Sequence, residues 1–87
     1  MNWVVYVLRC RTGDLYTGCT TDLDRRVKEH DSGNGGKFTR SRRPVTVVYK
    51  EESKSRSEAL RREYAIKKMR RKEKLALVAQ TALAATE

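Results

Sequence analysis

Apolar and polar positions fall into blocks of two different periods. Trp3–Cys10, WVVYVLRC, is rich in β-branched and aromatic residues and predicts a strand. After Arg11-Thr12-Gly13, residues 14–20, DLYTGCT, predict a second strand. A three-residue connection suits a bulged hairpin with Gly13 at its left-handed position. Facing residues then share parity, so Tyr6 and Tyr16 fall on one face of the sheet; a two-residue loop would separate them. The helical period follows. Thr21 is the expected N-cap, with Asp24 three residues on, and Asp22 and Asp24 suit the positive end of the helix dipole. Leu23 and Val27 form its buried edge, with Arg26 and His30 one turn apart beside them. Ser32-Gly33 ends it.

Residues 32–44, SGNGGKFTRSRRP, read as a loop with three glycines. Residues 45–50, VTVVYK, alternate and predict a third strand, with Pro44 at its start. Ser55 and Glu58 form a capping box for a second helix. With Ala59 at 0° and steps of about 100° per residue, Leu60 lies near 100°, Ile66 near 340° and Glu63 near 40°. Ala59, Leu60, Ile66 and, more loosely, Tyr64 make its apolar face, and Glu63 lies in the middle of it. A carboxylate there needs a reason: a structural ion pair with an arginine, or a role as metal ligand or catalytic carboxylate. No Gly or Pro interrupts residues 67–86, so propensity alone allows one long helix. The expected class is α+β: a small three-stranded antiparallel sheet flanked by helices, with residues 1–80 as the domain and 81–87 as a helical tail.

The chain has 87 residues, enough for one domain. Charged residues make up 36%, against about 25% in an average domain. Twenty Lys and Arg over eleven Asp and Glu leave a net charge of +9, which points to a polyanionic partner, nucleic acid first. Lys37, Arg40, Arg42 and Arg43 stand in the glycine loop with no acidic neighbour, interleaved with Phe38; they read as phosphate contacts or as a solvated basic loop. Lys67 and Lys68 open a second basic run with the same two readings. No stretch approaches the ~20 apolar residues of a membrane span, and the first ten residues are too short and end too basic for a signal peptide. Cys10 and Cys19 read as free thiols of a reducing, cytoplasmic setting; with His30 they lack a fourth zinc ligand and a C-x-x-C spacing.

A carboxylate, a guanidinium, an imidazole and two phenols form too small a set for most chemistries. No Ser-His-Asp set or phosphate-binding glycine loop is present, and nothing in the sequence orients His30 as a base for Cys19. Phosphodiester cleavage suits the set. Arg26 can meet two phosphate oxygens through its fork. One or two carboxylates hold Mg²⁺ when waters and substrate phosphate complete its shell, so Glu63 suffices. A phenol beside a cation is expected to titrate below its usual value of about 10 and so to take a proton from water.

The same residues resemble a GIY-YIG domain of the small stand-alone type. The first triplet of that motif falls on Val4-Val5-Tyr6 and the second on Tyr16-Thr17-Gly18. DLDRRVKEH, residues 22–30, matches the arginine-bearing helix, and ALRREYAIKK, residues 59–68, matches the helix with the metal-binding glutamate. The likeness spans residues 3–78. It implies a metal-dependent endonuclease using Mg²⁺ or Mn²⁺, acting on DNA, branched or damaged, in repair or recombination, ahead of RNA. It implies that Tyr6 assists deprotonation of the attacking water, Tyr16 orients the phosphate, Arg26 stabilises the transition state, His30 supports the water or a tyrosine, and Glu63 holds the metal. Gly18 would let the backbone pass closely where strand meets helix. The likeness also implies that Glu63 faces the tyrosines and that the last helix breaks near Arg70.

The chain departs from the motif in three ways. The first triplet lacks its glycine, Thr17 replaces an isoleucine, and the asparagines are only Asn2 and Asn34, so the family's late asparagine has no counterpart. Large members find their targets with extra modules; a single domain implies activity that is weak, structure-directed or dependent on a protein partner. Two other classes fit the charge: a non-catalytic basic module linked to RNA or the ribosome, and an assembly factor whose apolar tail joins a partner helix.

Overall fold

The computed structural model describes residues 2–86, with side chains described through Gln80; the side chains of the expected tail, 81–87, lie outside the described residues. The elements run β1 (Trp3–Cys10), β2 (Leu15–Thr20), α1 (Leu23–Asp31), α2 (Lys37–Arg40), β3 (Val45–Ser53), α3 (Arg56–Lys68) and α4 (Arg71–Thr86). The sheet is antiparallel in the order β2-β1-β3, so β1 is central and β2 is an edge.

The hairpin is the three-residue one. Cys10 N donates to Asp14 O at 2.8 Å and Gly13 N to Cys10 O at 2.9 Å, with Gly13 at φ +91°. The register pairs Tyr6 with Gly18 and Leu8 with Tyr16, which puts both tyrosines on one face. On that face Tyr6, Leu8, Cys10 and Val45 are buried, with Tyr16, Leu23, Val27 and Val47 packed around them. On the other, Val5 and Val7 pack against Ala59 and Ile66 of α3 and Leu77 of α4. A central strand buried on both faces explains why β1 is nearly continuously apolar.

Four expectations change in detail. Asp22, not Thr21, caps α1: its extended backbone lets Oδ1 accept from Arg25 N at 3.2 Å, while Thr20 Oγ1 accepts from Asp22 N at 3.1 Å. The glycine loop contains the single-turn α2. The third strand runs on to Ser53. On α3 the buried residues are Ala59 and Ile66, whereas Leu60 and Tyr64 are 43% and 62% exposed, because the stripe meeting the sheet runs through Arg62 and Glu63 instead. Arg62 there forms an ion pair with Glu51 of β3.

Propensity alone allows α3 and α4 to be one helix, but the chain breaks at Met69, which is extended at ψ 146°. Arg70 N donates to Glu73 Oε1 at 3.2 Å and Lys74 N to Arg70 O at 3.0 Å, so Arg70 caps the next helix. The break lets Met69, Leu77 and Val78 return to the Val5–Val7 face.

Thr17 stands opposite Val7 with its Oγ1 buried and without a hydrogen-bond partner. A buried hydroxyl left unpaired costs about 1–3 kcal/mol. Thr17→Val keeps the shape and removes that burden. It is expected to stabilise the fold by about 1 kcal/mol, seen as a higher urea midpoint at an unchanged slope.

Candidate active site

The site is built on the face of the hairpin that carries the tyrosines. Tyr6, His30 and Thr39 are each at most 1% exposed. Tyr6 Oη lies 3.2 Å from His30 Nε2, and His30 Nδ1 lies 2.8 Å from Thr39 Oγ1. The residue at the C-terminal end of α1 therefore has both ring nitrogens engaged inside the protein. Gly35 makes room for it: a Cβ there would stand 2.4 Å from His30 Nδ1. Thr39 was not legible as a site residue. The only signal for it is a run of glycines followed by a lone threonine among basic residues, and nothing in that pattern points to the histidine.

Gly18 acts differently from its expected role. It faces Tyr6 across the ladder, and a Cβ would stand 2.6 Å from Tyr6 Oη and 3.3 Å from Tyr16 Cε1. The glycine clears space for two tyrosine rings rather than for passing backbone. Tyr16 packs edge-on against His30 with centroids 4.9 Å apart, and Phe38 stacks on Tyr16 at 6.0 Å. Arg26 borders the phenols with its guanidinium pre-set by Glu29 Oε2 at 3.2 Å and Gly35 O at 3.0 Å. Its side chain is 31% exposed, which leaves the group open to a ligand.

Burial pushes the Tyr6 phenol up to about 12, although Arg26 pulls it down. A lowered phenol was expected beside the cation, but desolvation outweighs charge here. Burial and the Arg26 charge hold His30 below its usual range, so the imidazole is neutral at pH 7.

Glu63 comes from α3, which packs on the opposite face of the sheet from the tyrosines. Its side chain is 18% exposed, and Oε2 meets Lys67 Nζ at 2.8 Å. Its other neighbour is Cys19 of β2, whose thiol is driven up to about 11 by burial and by the Glu63 carboxylate. That thiol stays protonated at neutral pH. The expectation that Glu63 faces the tyrosines thus changes, because Cys19 and Tyr16 have opposite parity along one strand. Since β2 is an edge, groups from both faces can meet around it, and the Lys67 charge is felt at both Tyr16 and Cys19.

The basic loop is mostly occupied with itself. Arg42 Nε pairs with Asp14 at 3.0 Å, its Nη1 donates to Phe38 O at 2.8 Å, and its guanidinium lies 4.1 Å over the Phe38 ring. Arg43 donates to Arg40 O and Asp31 O, and Arg40 to Gly33 O. These three arginines are loop braces, a use that a charge count does not reveal. Lys37 is exposed on α2, and Lys68 lies over the exposed Tyr64 ring at 4.5 Å.

A histidine held neutral by the fold affects stability with a definite sign. The unfolded chain takes up a proton near pH 6.5 and the folded chain resists it, so the contribution is complete above about 6.5 and is lost as pH falls from there through the folded-state value. The urea midpoint is expected to drop between about pH 7.5 and 5.5, and His30→Gln to flatten that slope.

The model of the GIY-YIG catalytic domain matches residues 2–76. A UPF0213 protein of Halobacterium salinarum is 55% identical over 73 residues, covering 84% of this chain and 95% of that protein. A UPF0213 protein of Desulfotalea psychrophila is 52% identical over 77 residues, covering 87% and 70%. The solution NMR structure of a UPF0213 protein from Bacillus halodurans aligns with TM-score 0.60 at 48% identity, over 92% of this chain and 85% of that one. A second NMR structure, of a protein from E. faecalis, aligns with TM-score 0.65 at 40% identity, over 95% and 88%. With the motif triplets paired on one hairpin and relatives matched over 70% or more of their length, the chain belongs to the GIY-YIG nuclease family, among its small single-domain UPF0213 members.

Proposed function

We propose that the protein is a divalent-metal-dependent endonuclease that hydrolyses DNA phosphodiesters, acting on branched or damaged DNA in repair or recombination in the cytoplasm, with a protein partner supplying targeting. The observation that carries this reading is the buried Tyr6–His30 contact beside the half-open Arg26 guanidinium. It sets a buried phenol–imidazole pair beside an anion-binding fork whose side chain is partly exposed. Residues 1–80 are the catalytic unit in this reading, and 81–87 an appendage.

The roles follow from chemistry. Arg26, already oriented by Glu29 and Gly35, meets the phosphate oxygens where negative charge grows in the transition state. The Tyr16 hydroxyl hydrogen-bonds the phosphate and sets its angle to the water. Tyr6 receives the proton of the attacking water, backed by His30. Lys37, the outer surface of Arg40, and Lys67 and Lys68 supply long-range attraction for the DNA backbone.

The donor set fits a metal of modest coordination demand. Among the described residues no three His, Cys, Asp or Glu side chains gather. Glu63 offers one partly buried carboxylate whose present partner, Lys67, is itself a cation. Such a site suits Mg²⁺ or Mn²⁺ held by one carboxylate, with waters and substrate phosphate completing the shell. When bound, the ion would polarise the phosphate and help the sugar oxygen leave.

The test is cleavage of labelled single-stranded, duplex, flapped and four-way-junction DNA, and of RNA, with Mg²⁺, Mn²⁺ or EDTA. Metal-dependent cuts are expected, favouring branched DNA. They should be lost in Glu63→Ala and reduced about 100-fold or more in Arg26→Ala. The net charge of +9 also favours a simple nucleic-acid-binding module linked to RNA or the ribosome. Tight, salt-sensitive binding without cleavage of any substrate would select that reading.

A further inference from the structure

We infer that Thr39 is a positioning residue: its hydroxyl accepts the Nδ1 hydrogen of His30, which leaves His30 Nε2 bare to take the hydrogen of the Tyr6 hydroxyl. The inference rests on the nuclease reading for its consequence, but its geometric content stands apart from that reading.

The argument is a count of hydrogens in a closed space. A neutral imidazole carries one N–H, on either nitrogen. Thr39 Oγ1 has one hydrogen and two neighbours, His30 Nδ1 at 2.8 Å and the carbonyl oxygen of Gly36 at 3.5 Å. A carbonyl can only accept, so the hydroxyl hydrogen points to Gly36 and the oxygen accepts from Nδ1–H. Nε2 is then an acceptor, and its neighbour at 3.2 Å is Tyr6 Oη, which has a hydrogen to give. Every contact in the chain Tyr6, His30, Thr39, Gly36 is satisfied in this one direction. In the other tautomer, Thr39 would turn its hydrogen to Nδ1, the Gly36 contact would be lost, and Nε2–H would point at the Tyr6 oxygen and block it.

The surroundings hold this direction. Thr39 is 1% exposed, on a single helical turn whose ends are tied by Arg40 N to Gly36 O and Arg42 N to Thr39 O. Gly35 seals the imidazole from the loop side. Asp31 accepts from Val45 N, which anchors the far end of the same loop to β3. The braced arginines described above thus have a use: they keep Thr39 in place under His30.

The consequence is a relay with balanced protons. As the water oxygen bonds to phosphorus, its proton passes to Tyr6 Oη, and the Tyr6 hydrogen passes to His30 Nε2. The phosphorus–sugar oxygen bond breaks, and the leaving oxygen takes a proton from solvent. His30, now cationic, keeps its Nδ1–H on Thr39 and returns the extra proton to solvent after product leaves. No phenolate has to form in advance, which suits a phenol that burial keeps protonated.

His30 is the only histidine in the chain, so the two ring ¹⁵N signals of uniformly labelled protein are its own. The wild type is expected to give a pyrrole-type Nδ1 and a pyridine-type Nε2. Thr39→Ser should retain this pattern. Thr39→Val should shift it toward Nε2–H and lower kcat about tenfold to hundredfold, within the range of proton-transfer catalysis, with KM unchanged and activity restored by serine. A wild-type spectrum with Nε2 protonated overturns the inference, as does a folded Thr39→Val with an unaltered spectrum. If the valine variant does not fold, the wild-type and serine spectra still decide the tautomer. The expected spectra with no cleavage of any substrate by the wild type would uphold the positioning and overturn the nuclease reading.

Discussion

Two polar rings cannot be buried side by side in a small domain unless each hydrogen-bonding group finds a partner, and the Tyr6–His30 pair imposes that condition on everything around it. Gly18 must be a glycine so that the Tyr6 hydroxyl can lie over β2. Gly35 must be one so that the imidazole can lie against the loop. Thr39 must be brought beneath the ring to satisfy Nδ1, which makes a single helical turn out of a segment with no apolar period. The site is thus a packed core with one polar thread through it, and Arg26 sits where that thread meets solvent.

The same condition reassigns much of the positive charge. A chain with twenty Lys and Arg invites a reading in which each basic side chain waits for phosphate. Yet Arg40, Arg42 and Arg43 hold loop carbonyls, Asp14 and the Phe38 ring, and Arg62 holds Glu51. The guanidinium fork braces irregular backbone where a small domain has too few apolar contacts to do so. The remaining charge sets a long-range field, while among the described residues Arg26 is the cation held in place beside the phenols and still partly exposed.

The edge position of β2 reconciles two facts that otherwise conflict. Tyr16 and Cys19 point to opposite faces, and Glu63 belongs with Cys19. In the middle of a sheet that would separate carboxylate from phenols by a full layer. At an edge, groups from both faces can meet around the strand. Among the described residues the sheet has three strands, so two are edges, and one of these, β2, carries Tyr16 and Cys19.

The sequence by itself determined the order of the three strands and of helices α1 and α3, the three-residue hairpin and the shared face of Tyr6 and Tyr16, because parity and a left-handed glycine are local matters that a few consecutive residues decide. The capping of α3 by Ser55 and the odd position of Glu63 on its stripe were legible for the same reason. What the tertiary structure decided were partners distant along the chain. The His30–Thr39 contact, the bracing arginines, the exposure of Leu60 and Tyr64, and the raised Tyr6 phenol all depend on which surface another element covers. The break at Met69 belongs with them, since helix propensity runs through it and only the return of Leu77 to the sheet gives it a cause. Periodicity names the face of an element, and burial against a particular neighbour sets its hydrogen bonds and charges.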